Sequence, residues 1–190
     1  EQILNVAVTL PDGDRVELVE ADFTDPDAPA RVMAAAVAAY GHVDILAANH
    51  AYSTMGSLEE VTAEQIDLHM AVNVRGSLLL AKEFAAQHDG RPGGRVVLMT
   101  SGQHLGPMRG ELAYIASKGA LHQLTLSLSA HLASRGITVN TVNPGATDTG
   151  YATPELHEMI RSLNPQGRWG KPDDAARLIA WLATDDACWI

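Results

Sequence analysis

The spacing of apolar and polar positions changes several times along this chain, and each change marks an element. Residues 15–21 alternate, with Val16, Leu18 and Val19 set among polar neighbours, and predict a strand. Val32, Met33, Ala36 and Val37 then recur at helical spacing up to about Tyr40. Asp25 or Asp27 can cap that helix, Pro26 lies near its first turn, and Gly41 closes it. Residues 43–48 form a short apolar run, read as a buried strand, and 49–57 form a loop. Thr62-Ala63-Glu64-Gln65 has the form of a capping box and opens a helix to about His88. A turn at 89–94 leads into a strand at 95–100. A long helix covers 112–134, with Gly136 as its stop, and another strand covers 137–142. Residues 146–170 read as irregular or loosely helical. A helix follows at 172–184, with Pro172 at its start and Asp173 and Asp174 in its first turn. Ahead of all this, residues 1–10 read as the end of a helix and 11–14 as a turn.

Strand and helix alternate throughout, which predicts an α/β fold: a doubly wound parallel sheet in three α/β/α layers. The short, wholly apolar strands fit burial on both faces. The 190 residues suit one domain, and the long stretch at 146–170 is the candidate lid.

Composition narrows the function classes. A formal charge of −10 argues against nucleic acid, which is held by clusters of Lys and Arg. No apolar run approaches a membrane span, and no export signal is read. The single cysteine, Cys188, fits a reducing, cytoplasmic compartment. The eight histidines are scattered without metal-ligand spacing, so no metal centre is expected.

The chemistry concentrates in residues 100–118. Tyr114 and Lys118 are four apart and share one helix face. An ammonium beside a phenol stabilises the phenolate and lowers its pKa. Ser101 lies just past the carboxyl end of a strand, where open α/β sheets place their chemistry. The three together form a candidate proton-transfer site. Each also has a plainer reading: a chance pair on an amphipathic helix for Tyr114 and Lys118, and a cap or turn for Ser101.

These motifs resemble the short-chain dehydrogenase/reductase family over most of the chain. Tyr114-Ile115-Ala116-Ser117-Lys118 is similar to its Tyr-x-x-x-Lys, and Ser101 stands 13 residues before the tyrosine, as the family's serine does. Asn73 is similar to the family's helix asparagine, and Asn143-Pro144-Gly145-Ala146-Thr147-Asp148-Thr149 to its Pro-Gly loop. The resemblance implies an NAD(P)-dependent oxidoreductase with a Rossmann-like fold. Tyr114 would be the general acid or base, Ser101 the group bonding the substrate oxygen, and Lys118 a tuning and ribose-binding group. Asn73, through its backbone and a water, would complete a proton path. Asp22 and Phe23 are expected near the adenine, Asn49, His50 and Ala51 along the cofactor, and Pro144, Gly145, Thr147 and Thr149 at its nicotinamide end. NAD and NADP are not distinguished. A small carbonyl or alcohol substrate is expected, with no nucleic acid and no membrane, and a homodimer or homotetramer through helices 62–88 and 112–134.

Two departures from the family accompany this. Its Asn-Asn-Ala-Gly reads Ala48-Asn49-His50-Ala51 here. His50 is open to three roles: cofactor contact, substrate contact or loop filler. No glycine-rich turn precedes Glu1, so residues 1–190 are expected to be one incomplete domain lacking the fold's first two strands and its last. An intact mass above that of the 190 residues would bear this out. The competing function is a non-catalytic scaffold or regulator with a decayed cofactor site.

Overall fold

The computed structural model describes residues 16–190. The helix end at 1–10 and the turn at 11–14 lie outside the described residues. Three strands, β1 (Ile45–Ala48), β2 (Gly94–Met99) and β3 (Ile137–Val142), form a parallel sheet in the order β1-β2-β3. Ile45 pairs with Arg95, and Gly94 with Ile137. All six residues of β2 are buried. Val96 and Leu98 point to one face, where they meet Phe84, Leu121, Leu132, Ile137 and Val139. Val97 and Met99 point to the other and meet Val142, Leu182 and Ala187. A strand apolar at every position is what burial on both faces requires, and each such side chain contributes roughly 1.5–3 kcal/mol.

The helices are α1 (Ala28–Tyr40), α2 (Ala63–His69), α3 (Ser77–Gln87), α4 (Leu112–Leu132), α5 (Pro154–Leu163) and α6 (Pro172–Leu182). α3 and α4 cover the first face of the sheet and α6 the second. The capping box of α2 forms as the sequence indicates: Gln65 N–H donates to Thr62 Oγ1 and Thr62 N–H to Gln65 Oε1. Gly41 ends α1 at φ +81°, a conformation open to glycine without strain.

Four expectations need correction. Of the strand expected over 15–21, residue 15 lies outside the described residues and 16–21 form no strand, since none of the described strands pairs with them, and Leu18 is exposed. The strand expected over 43–48 is confined to Ile45–Ala48, because Val43 is held instead by the side chain of Gln87. The helix expected over 62–88 is continuous but passes through a π-helical turn, Met70–Gly76, between α2 and α3. The loose stretch at 146–170 contains an amphipathic helix, α5, capped by Thr153, whose hydroxyl accepts the Leu156 N–H.

Because the strands are parallel, the loops that leave β1, β2 and β3 emerge on one edge. Residues 49–56, 100–110 and 143–153 are thereby brought together at the carboxyl ends of the strands.

Candidate active site

Tyr114 and Lys118 stand one turn apart near the start of α4. Lys118 is 2 % exposed, and its Nζ donates to the Met99 carbonyl at the end of β2, 2.8 Å away. That bond fixes the ammonium 5.7 Å from the centre of the Tyr114 ring. Burial pushes the Lys118 pKa down to about 8. Ser101, in extended conformation beyond β2, lies close enough to Tyr114 for its side chain to lower the phenol's pKa. Its own N–H donates to Gln103 Oε1 at 3.0 Å. The structure therefore brings Ser101, Tyr114 and Lys118 together at the strand ends.

The phenol's tuning runs opposite to the sequence argument. Burial raises the Tyr114 pKa, the Ser101 side chain lowers it, and the charge of Glu111 raises it further, as does Tyr151 once ionised. Burial outweighs the rest because the ring is packed between elements, with the edge of His69 on one side at 6.2 Å between centroids. Burial also raises the carboxyl of Glu111 at the start of α4. Glu111 and Tyr151 thus belong to the electrostatic surroundings of the phenol, and the spacing of Tyr114 and Lys118 alone gave no hint of Glu111.

Asn73 lies in the π-helical turn and is fully buried. Its Oδ1 accepts the Tyr52 N–H at 2.7 Å, and its Nδ2 donates to the Tyr52 carbonyl at 2.9 Å and to Ser117 Oγ at 2.9 Å. The Ser117 hydroxyl donates onward to the Tyr114 carbonyl at 2.7 Å. The Asn73 side chain is committed to holding the loop after β1 against α4, one layer behind the phenol. π turns recur at functional sites because an inserted residue re-aims side chains that a regular helix would space evenly.

The residues expected along a cofactor divide into two sets. Pro144, Gly145, Thr147 and Thr149 line the loop after β3. Gly145 takes φ +69°, and the Thr147 hydroxyl donates to the Pro144 carbonyl at 3.1 Å. Asn49 and Ala51 are exposed in the loop after β1. His50, between them, turns inward. It stacks on Phe23 at 4.2 Å and 17°, and its Nε2–H donates to the Val72 carbonyl in the π turn at 3.1 Å. Burial pushes its pKa down. Gly76 makes this packing possible, since a Cβ there would sit 3.2 Å from both His50 Nε2 and Phe23 Cδ1. Asp22 is exposed, and its carboxylate accepts the Thr24 N–H at 2.8 Å, which holds its pKa below the usual range.

Two groups escaped the sequence reading. His69, four residues before Asn73, is fully buried against Tyr52 and Tyr114; its spacing of four from Asn73, which puts both on one helix face, was the available signal. Trp169 anchors α5: its Nε1–H donates to the His157 carbonyl at 2.8 Å, and its ring stacks on His157 and meets Tyr151 edge-on. No group of three or more His, Cys, Asp or Glu that could hold a metal ion occurs among the described residues. No helix among them is long and apolar enough to cross a membrane.

Comparison with known proteins places this geometry. A family model described as Enoyl-(Acyl carrier protein) reductase matches residues 3–190. The chain is 44% identical over 180 residues to an uncharacterized oxidoreductase, YjdA, of Bacillus subtilis (strain 168), covering 94% of this chain and 72% of that protein. It superposes on a short-chain dehydrogenase/reductase from Serratia marcescens BCRC 10948 with a TM-score of 0.87 at 34% identity, covering 94% of this chain and 73% of the other. A structure of the angucycline C-6 ketoreductase LanV with bound NADP matches with a TM-score of 0.86 at 35% identity, covering 94% and 72%.

Proposed function

The chain belongs to the short-chain dehydrogenase/reductase family, and on that premise we propose that Ser101, Tyr114 and Lys118 carry its chemistry on a neutral ketone or secondary alcohol. It is an NAD(P)-dependent oxidoreductase acting at a carbonyl or alcohol carbon. The residues at the strand ends fit such a cofactor. The Lys118 ammonium is buried with one bond, to Met99, which leaves donors for the hydroxyls of a ribose. No atom lies within 4 Å of where a Cβ of Gly145 would stand, so the loop after β3 leaves open space at its turn. In this reading Lys118, Pro144, Gly145, Thr147 and Thr149 hold the nicotinamide end, and Asp22, Phe23, Asn49, His50 and Ala51 follow toward the adenine. The bound nicotinamide supplies or accepts the hydride.

The protein's own part is proton transfer and charge stabilisation. In the reducing direction Tyr114 Oη gives its proton to the carbonyl oxygen, and the Ser101 hydroxyl donates a hydrogen bond to the same oxygen as negative charge develops there. Lys118, its ammonium 5.7 Å from the ring centre, stabilises the phenolate that remains. The charge of Glu111, felt by both Tyr114 and Tyr151, makes the site unfavourable for a second anion, which is why a neutral substrate is proposed. The stretch at 146–170, held by Trp169, acts as a lid within a single domain. Exposed Ile66, Met70 and Leu78 on one side and Leu126 of α4 on another support a homodimer or homotetramer through helices 62–88 and 112–134. The single, free Cys188 supports a cytoplasmic location.

The observation that carries the reading is Lys118, buried one turn from Tyr114, tied to the Met99 carbonyl and 5.7 Å from the phenol ring, with Ser101 beside that phenol. Reduction of neutral ketones is followed through oxidation of NADPH and NADH, in the wild type and in Tyr114→Phe. Cofactor binding is expected to survive in the variant while turnover falls by about 10²–10⁴-fold. Undiminished turnover would sink the assignment.

A further inference from the structure

We propose that His69 is a positioning residue for this reaction: one imidazole, held in a single tautomer, fixes both the loop after β1 and the ring of Tyr114. The inference rests on the reading of Tyr114 as the proton donor. His69 closes α2 and is 0 % exposed. Its Nδ1 lies 2.6 Å from the Gln65 carbonyl, one turn back, so Nδ1 carries the proton. Its Nε2 lies 3.2 Å from the Thr54 nitrogen and accepts that N–H. Both ring nitrogens are thereby committed to backbone groups, one on its own helix and one on the loop, and the ring is neutral in this arrangement.

The imidazole is also a spacer. Its edge meets Tyr52 at 4.8 Å and 72° on the loop side, and Tyr114 at 6.2 Å and 73° on the α4 side. Asn73, four residues on, does the matching work on the Tyr52 backbone. Between them the two side chains fix the N–H and carbonyl of Tyr52 and the N–H of Thr54. A phenylalanine at position 69 would fill similar volume and leave the Thr54 N–H unpaired. A protonated imidazole would set a second donor against it. Only a side chain that offers an acceptor there keeps the loop in place. The loop lies at the strand ends where a substrate must arrive, and the Tyr114 ring must stand at a set distance from Ser101, so a small shift of either reaches the chemistry.

The plainer reading is a buried histidine that only fills space. His69→Phe and His69→Gln separate the two. Hydrogen exchange of the Thr54 amide is read in the cofactor-free protein, independently of catalysis. Cofactor affinity, kcat and KM for a neutral ketone are read alongside. The Phe variant is expected to lose protection at Thr54 and roughly 10–100-fold in kcat, with cofactor affinity unchanged. The Gln variant, whose Oε1 can accept the Thr54 N–H, is expected to recover most of both. His69→Leu gives the same reading if the Phe variant does not fold. Wild-type kcat in the Phe or Leu variant overturns the proposal, as does a Gln variant that restores Thr54 protection without restoring kcat. A wild-type protein that reduces no ketone, with Thr54 exchange behaving as described, overturns the role assigned to Tyr114 and leaves His69 as a clasp on the loop alone.

Discussion

Asn73 Nδ2 lies 2.9 Å from Ser117 Oγ, and this contact joins the loop after β1 to the helix that carries the proton donor. The route continues through the Ser117 hydroxyl to the Tyr114 carbonyl at 2.7 Å. The asparagine's side chain is thus a clasp between two active-site elements.

The clasp sets unequal penalties on its two ends. Asn73→Leu leaves the half-buried N–H and carbonyl of Tyr52 without these partners and is expected to destabilise the protein by about 2–3 kcal/mol. Ser117→Ala removes one bond from each neighbour and is expected to cost about 1–2 kcal/mol. Urea unfolding of both single variants and the double variant checks this. The pair shares a hydrogen bond, so the double variant should fall short of the sum, and strict additivity would argue against the coupling.

Lys118 sets stability against function. Its pKa is depressed from 10.5 to about 8 by burial, so the folded protein binds fewer protons than the unfolded chain between those two values. Stability contributed by this group therefore rises with pH across that window, and the deficit is fullest below about pH 8. The shift corresponds to a deficit on the order of 3 kcal/mol, partly offset by the bond to Met99. Lys118→Met is expected to abolish turnover, yet to match or exceed the wild type in stability at neutral pH. The difference between the two proteins should move in favour of the wild type as pH rises through 8. A difference that stays flat with pH would show that burial of the ammonium is not the source.

Much of the architecture was legible in the chain because it follows from local rules. An all-apolar β2 announces burial on both faces, Thr62 and Gln65 announce a capping box, and Gly41 and Gly136 announce helix ends. What escaped depends on partners distant in sequence. Residues 16–21 alternate like a strand, but a strand exists only where a neighbour pairs with it. The π turn at Met70–Gly76 leaves no periodic signature in so short a segment. Of the site, Tyr114 and Lys118 were readable from their helical spacing, and Ser101 from its place just past a strand's carboxyl end. The direction of the Tyr114 pKa shift was not, because burial and Glu111 enter only through packing.

Gly94 marks a close approach at the start of β2. A Cβ there would lie 2.7 Å from His88 Nε2 and 2.7 Å from Ile137 Cγ1. His88 and Ile137 are both buried and have little room to retreat. Gly94→Ala is expected to destabilise by about 1–3 kcal/mol, despite the usual benefit of alanine over glycine in a chain's unfolded state. Denaturant unfolding that finds no loss would mean that the start of β2 yields more easily than its packing implies.

The charge of Glu111 reaches the phenol, and the last expectation turns on its sign. Where Tyr114 titrates, at alkaline pH, Glu111 is a carboxylate, and its field helps to raise the phenol's pKa. Glu111→Gln removes that field while keeping the side chain's size. In the oxidising direction, which needs the phenolate as base, the pH at which the rate rises should move down. The same substitution should favour substrates that carry a negative charge, because a carboxylate-bearing ketone no longer meets a like charge beside Tyr114 and Tyr151. The kcat/KM ratio of a keto acid to its neutral ester is therefore expected to rise several-fold in Glu111→Gln. If that ratio and the alkaline limb of the profile both stay where they were, Glu111 does not set the charge selection, and the preference for a neutral substrate loses its physical ground.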